Sequence, residues 1–194
     1  MTSTATPSVN SEFIEEVLRD ATEIVSEASL MKAFDKMAEA ITVSLKDKEP
    51  LFLCVMNGGF MMAAEVLKRL KFPLKMHYIH ATRYNDTCFG SQIEWIQRPP
   101  KEIQGREVVL LDDILDGGIT LAEIKKHCLE LGAKKVHTAV MLDKKANREH
   151  EGLKSADFIG LEIPDEYVFG FGLDYHGYLR NVPSIFAAAK HHYV

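Results

Sequence analysis

Cysteine is scarce in this chain. Three among 194 residues, Cys54, Cys88 and Cys128, stand far apart with no Cys-x-x-Cys pair, so neither a disulfide framework nor a thiolate metal knot is expected. Long apolar runs are missing too. No window approaches ~18 apolar residues and Met1 to Ser11 is polar, so the expectations are no membrane span, no secretory signal and a cytoplasmic location. Basic excess is also lacking: 23 Lys and Arg face 28 Asp and Glu, a net charge of −5, with the signs interspersed. That balance argues against nucleic acid as a partner. Repeats are absent, and the only biased tract is a Thr/Ser-rich leader at residues 1–10, read as disordered. What remains is 46% hydrophobic, enough to bury the core of one domain over residues 11–194.

One stretch organises the chain. Val108, Val109, Leu110 and Leu111 form a continuous apolar run that fits a strand buried on both faces. Three acids follow, Asp112, Asp113 and Asp116, then Gly117-Gly118 and a helical pattern of Leu121, Ile124, Cys128 and Leu131, with Thr120 as the expected cap and Gly132 as the stop. A glycine turn between strand and helix N-terminus gathers backbone N–H groups that lack helical partners, and the macrodipole adds positive potential there. A phosphate therefore belongs at Gly117 to Thr120. Three carboxylates beside it would repel that phosphate unless they hold hydroxyls or a cation, and a phosphorylated sugar with Mg²⁺ satisfies both. A helix cap could account for Asp113 or Asp116 singly, but not for all three acids beside a double glycine.

Elsewhere the period alternates between helix and strand. Ser11 is read as capping a helix with Ile14, Val17, Leu18, Ala21, Val25 and Ala28 on one side, and a second helix starts at about Ser29. Leu51 to Met56 reads as a buried strand, Asn57-Gly58-Gly59 as a turn, and Ala63 to Leu70 as a helix. Leu74, Met76 and Tyr78 alternate in a strand reaching Ala81, and the polar segment Thr82 to Gln92 precedes a short strand at Ile93 to Gln97. Val136 to Leu142 and Phe158 to Ile163 complete the strands, with a charged connection from Asp143 to Lys154. An aromatic-rich tail follows, whose Phe186 and Tyr193, read as exposed, hint at self-association. The alternation predicts an α/β fold with a mostly parallel central sheet, helices on both faces and ligands at the carboxyl ends of the strands.

The segment Val108 to Leu121 resembles the signature of the type I phosphoribosyltransferase family, and within it the hypoxanthine-guanine branch; the resemblance extends from about Leu51 to Arg180. It implies a core at about 51–160 with a small hood from about 11–45 and 161–194. It also implies transfer of the phosphoribosyl group from phosphoribosyl pyrophosphate to a 6-oxopurine, with Mg²⁺, in a homodimer or homotetramer. By this likeness Asp112 and Asp113 hold the ribose hydroxyls, Gly117, Gly118, Ile119 and Thr120 the 5′-phosphate, and Asp116 acts near N7 of the purine. Met56-Asn57-Gly58-Gly59 is similar to the family's pyrophosphate loop, often built on a non-proline cis peptide, and Asn57 and Gly58 take that role with Arg180. Arg83 and Tyr84 match the flexible loop. Lys144, Tyr167, Val168 and Asp174 match the purine side, and Asp112, Asp113 and Asp174 the metal ligands. Three positions depart from common family usage: Asn57 where a basic residue is frequent, Arg83 where serine is common, and Ile119 where some relatives carry lysine. The rival reading on the same fold is a regulator that senses phosphoribosyl nucleotides without transferring them.

Overall fold

The computed structural model describes residues 9–83, 93–145 and 148–193. The strand around the acids is longer than the apolar run suggests. Strand β5 spans Glu107–Leu115 and keeps Val108 to Leu111 wholly buried, so Asp112 and Asp113 lie inside its last residues rather than after it. Its parallel neighbours are β2 (Leu51–Met56) on one side and β6 (Lys135–Lys144) on the other. Beyond β2 come β3 (Lys75–Arg83) and an antiparallel edge strand, β4 (Ile93–Gln97); beyond β6 comes β7 (Phe158–Ile163). Among the described residues the sheet therefore runs β4-β3-β2-β5-β6-β7. Chain order moves outward in opposite directions from the β2–β5 pair. That seam is the topological switch point, where loops diverge at the carboxyl ends and leave a crevice.

Alternation along the strands divides the interior. Phe52, Cys54, Val109, Leu111 and Met141 face α2 (Glu27–Leu45) and α3 (Gly59–Leu67), while Leu51, Leu53, Val55, Val108 and Leu110 face α4 (Ile119–Glu130). Both faces are thus covered by helices. This burial is the main stabilising term, at roughly 25 cal/mol per Å² of apolar surface removed from water. The stop of α4 falls where expected: Gly132 N–H donates to the Leu129 carbonyl at 2.9 Å and Ala133 N–H to the Cys128 carbonyl at 3.1 Å, the paired bonds of a Schellman ending.

The terminal segments build a second sheet. Helix α1 spans Ser11–Asp20 and is capped by Asn10, whose Oδ1 accepts the Phe13 N–H at 2.9 Å, so Ser11 is the first helical residue and not the cap. The apolar pattern continuing through Val25 is not helix. Thr22–Val25 is a strand, β1, paired with β9 (Ile185–Ala187), which in turn pairs with β8 (Val168–Phe169). Ile14 and Val17 of α1 pack there with Phe169, Tyr175 and Ala188. Segment 11–45 therefore divides, with α1 and β1 on this small sheet and α2 on the large one. Phe186 is not an exposed apolar residue. It is half-buried and stacks on Phe169 at 5.9 Å. Tyr193 is exposed as expected, and among the other exposed apolar side chains Phe60, Met76 and Tyr78 gather around a groove floored by Cys54, Met56 and Ala63. No helix among the described residues is long and apolar enough to cross a membrane.

Candidate active site

A cleft of about 520 Å³ opens at the β2–β5 seam. Residues 112–121 line one wall in an unbroken run; Met56 and Gly58 from the end of β2 line another, and Asp174 and Arg180 come over from the hood. The three segments touch because two glycines allow it. A Cβ on Gly58 would lie 1.6 Å from Asp113 Oδ2, and one on Gly172 would lie 2.2 Å from the Gly58 carbonyl oxygen. Side chains at either position would force the acid strand, the turn and the hood loop apart. The peptide bond between Met56 and Asn57 is cis. Asn57 itself is exposed and does not line the cleft, although its carbonyl accepts the Phe60 N–H at 3.3 Å.

The glycine turn leads into a helix N-terminus. Gly118 is the residue before α4, with φ +84 and no side-chain cap, so Thr120 is the second helical residue rather than the cap. Every non-glycine residue resists that dihedral, and a Cβ there would also meet the Leu153 carbonyl oxygen at 2.6 Å. The N–H groups of Ile119, Thr120 and Leu121 come before the first intrahelical bond, from Ala122 N–H to the Gly118 carbonyl at 3.1 Å. They are therefore available to an anion in the cleft. The loop beneath is clamped from outside: Glu149 N–H donates to the Gly117 carbonyl at 3.1 Å and Leu153 N–H to that of Gly118 at 3.0 Å.

The acids differ in environment. Asp112 is 8% exposed and Asp113 half-buried. Burial, and then its neighbour's charge, pushes the Asp112 carboxyl well above the ordinary carboxylate range, and burial likewise raises Asp113 against the pull of the Asp112 hydrogen bond and of Arg180. Asp116 is solvent-facing and paired. Lys144, at the end of β6, places its Nζ 3.1 Å from Asp116 Oδ2 and 3.1 Å from Asp165 Oδ1. Burial alone would weaken the Lys144 proton; its two carboxylate partners, Asp165 and Asp116, outweigh burial and keep the ammonium charged. In the hood, Arg180 pairs with Asp174 at 2.6 Å and donates to the Gly172 carbonyl at 2.5 Å. Tyr167 packs edge-on to Tyr175 at 5.5 Å, and burial, then the nearby Asp174 charge, holds its phenol above the usual range.

Not every expected residue gathers here. Val168 is buried in β8 opposite Ala187 with its side chain in the core. Arg83 ends β3 opposite Ile93. Tyr84, with most of the expected flexible loop, lies outside the described residues. One residue that the sequence reading passed over is central: Arg148 Nη1 donates to the carbonyls of Leu115 at 2.9 Å, Asp116 at 2.6 Å and Lys144 at 2.9 Å, and Nη2 pairs with Asp143. A single guanidinium thereby ties the acid strand, the turn before the glycines and the lysine strand together.

Comparison with known proteins agrees with this geometry. The family described as phosphoribosyl transferase domain matches residues 20–176. A hypoxanthine-guanine phosphoribosyltransferase from Bacillus subtilis is 29% identical over 163 residues, covering 84% of this chain and 89% of its own. One from Aquifex aeolicus is 30% identical over 165 residues, covering 84% and 92%. The crystal structure of a hypoxanthine-guanine phosphoribosyltransferase from Bacillus anthracis superposes with a TM-score of 0.77 at 27% identity, covering 86% of this chain and 96% of that one.

Proposed function

The chain belongs to the phosphoribosyltransferase family, and from that premise we propose that it transfers the 5-phosphoribosyl group of phosphoribosyl pyrophosphate to N9 of hypoxanthine or guanine, releasing pyrophosphate. One observation carries the reading. The helix N-terminus for a phosphate, the buried acid pair and the Asp174–Arg180 pair meet in one cleft at the switch point, with Lys144 fastened to its rim through Asp116. In this reading the amides of Gly117 to Thr120 take the 5′-phosphate and Asp112 and Asp113 the ribose hydroxyls. Gly58 offers backbone to the pyrophosphate and Arg180 its charge; Asn57 contributes main chain alone, since its side chain faces solvent. Lys144 donates to the exocyclic oxygen of the base, Tyr167 stacks on its ring and Val168 presents main chain to its edge.

Bond breaking at C1 leaves positive charge on the sugar and negative charge on the departing oxygen. Arg180 already sits in the cleft to meet the latter. The purine must shed a proton as N9 bonds to C1, and Asp116 is the carboxylate to accept or share it at N7, held in place by Lys144. A positioned base of this kind contributes ~10²–10⁴-fold.

The donor set fits Mg²⁺. Asp112, Asp113 and Asp174 offer hard oxygens, and burial makes the first two costly to ionise without a compensating cation. When bound, such an ion neutralises pyrophosphate oxygens. Self-association into a homodimer or homotetramer belongs to the same proposal, supported by the exposed Phe60, Met76 and Tyr78 face. A cytoplasmic location is supported by the free thiols Cys54 and Cys128. The regulator reading has no observation in its favour.

The test is spectrophotometric. Hypoxanthine or guanine with phosphoribosyl pyrophosphate and Mg²⁺ is expected to give nucleotide, and Asp116→Asn to lower turnover by about 10²–10⁴-fold while the pyrophosphate substrate still binds. No absorbance change with either base would overturn the proposal; an unimpaired Asp116→Asn would remove that residue from its role.

A further inference from the structure

The two ends of the described chain meet at a cluster with no part in the proposed reaction. Asp20, the last residue of α1, faces His191 and His192 in the 3₁₀ turn Lys190–His192. Its Oδ2 lies 3.0 Å from His192 Nε2 and 3.3 Å from His191 Nε2, and the three atoms all lie within 4.8 Å of one another. Both imidazoles thus converge through the same ring nitrogen on one carboxylate oxygen. Donors bound 2.0–2.1 Å from a tetrahedral ion stand about 3.3 Å apart. The two separations to Asp20 already approach that edge length.

The three ligands are not equally mobile. His192 is 3% exposed; the edge of its ring meets Phe13 at 5.6 Å, and its carbonyl accepts the buried Tyr175 hydroxyl at 2.5 Å. That ring is fixed. The side chain of His191 is 66% exposed, so solvent reaches the cluster from that side. Arg19 lies 3.9 Å from the other carboxylate oxygen, Oδ1, and does not occupy Oδ2. Two neutral imidazoles and one carboxylate with an open position form a borderline donor set that suits Zn²⁺ and does not suit Mg²⁺.

We propose that Asp20, His191 and His192 bind a zinc ion that staples the N-terminal helix to the C-terminal turn. The staple has a mechanical target. Tyr193, next to the ligands, accepts the Tyr167 N–H on its hydroxyl at 3.2 Å, so fixing the turn also fixes the strand entry beside the cleft. Zinc binding by imidazole and carboxylate ligands releases protons, so affinity falls as the solution is made acidic.

The experiment uses the full chain without a polyhistidine tag, in millimolar Mg²⁺ so that the acidic cleft does not report zinc. Titration with ZnCl₂ by calorimetry is expected to give one site per chain, and zinc is expected to raise the melting temperature. His191→Ala removes an exposed ring, and with zinc absent its melting temperature should match the wild type. It should lose at least about tenfold in zinc affinity together with the zinc-dependent rise. Asp20→Asn should lose zinc affinity and the zinc-dependent rise in the same way, and His191→Gln serves if the alanine variant is unstable. Zinc binding unchanged in His191→Ala and Asp20→Asn, or no heat and no thermal shift in the wild type, overturns the proposal.

Discussion

Replacing Arg148 by methionine keeps the aliphatic stem and removes the guanidinium. Three carbonyls, on Leu115, Asp116 and Lys144, lose their donor, and Asp143 is left as an unpaired carboxylate. Solvent does little to soften this, because the two side chains are only 13% and 12% exposed. Removing one partner of such a pair costs about 3–5 kcal/mol, against about 5–15 kcal/mol of total stability for a domain. Arg148→Met should therefore fold, with the unfolding free energy from urea titration lowered by that amount. Adding Asp143→Leu removes the orphaned charge, so the double variant should recover much of the loss. It cannot restore the tie between Leu115, Asp116 and Lys144, so the KM for phosphoribosyl pyrophosphate should stay raised in both variants. The reasoning is refuted if Arg148→Met lies within about 1 kcal/mol of wild type, or if Asp143→Leu returns KM to the wild-type value.

Gly58→Ala places a methyl 1.6 Å from Asp113 Oδ2 and must push that carboxylate aside; kcat/KM should fall about 10²-fold, the scale of an ångström misplacement, and unchanged kinetics would show that the acid tolerates displacement. Burial raises the Asp112 and Asp113 carboxyls in the folded chain, so without cation or substrate the native state binds more protons than the unfolded one above about pH 3.9, and stability falls as pH rises from there through the folded values. Asp112→Asn with Asp113→Asn should flatten that decline in denaturant midpoints; parallel profiles for wild type and variant would refute the account. Burial pushes the Cys54 and Cys128 thiols up to about 12, so in a Cys88→Ser background the native protein should take up no alkylating label at neutral pH until denaturant is added.

The parts legible beforehand are those where a local pattern and its tertiary setting agree. Four apolar residues in β5 mean a strand covered on both faces, and all four are fully buried. Leu121, Ile124 and Cys128 predict the inner side of α4, and all three face the sheet; Leu131, next in the series, falls beyond the last helical residue and is 41% exposed. Misreadings arise where two patterns coincide. Ala21 and Val25 continue the helical spacing of α1, yet Thr22, Ile24 and Val25 are β-branched, and pairing with β9 decides in favour of strand. Met76 and Tyr78 alternate as a strand should but stay exposed, since alternation says which residues share a face and not whether anything covers it. The helix caps slip for a related reason. Asn10 and Ser11 are both competent, and at Gly118 the backbone dihedral serves in place of a cap.

Arg148 shows where single-residue signals end. Within a charged connection an arginine reads as a solvated side chain, and the three carbonyls that it holds carry no residue-type signature at all. Its placement depends on β5 and β6 being parallel neighbours, with Leu115 opposite Asp143. That register follows from strand order, and strand order from which connections cross the sheet. The acids and glycines announce their chemistry in a dozen consecutive letters because one turn between strand and helix contains them. The groups that fix Lys144 and the glycine turn beside the cleft are scattered over three segments, and only the switch-point topology brings them within hydrogen-bond distance of each other.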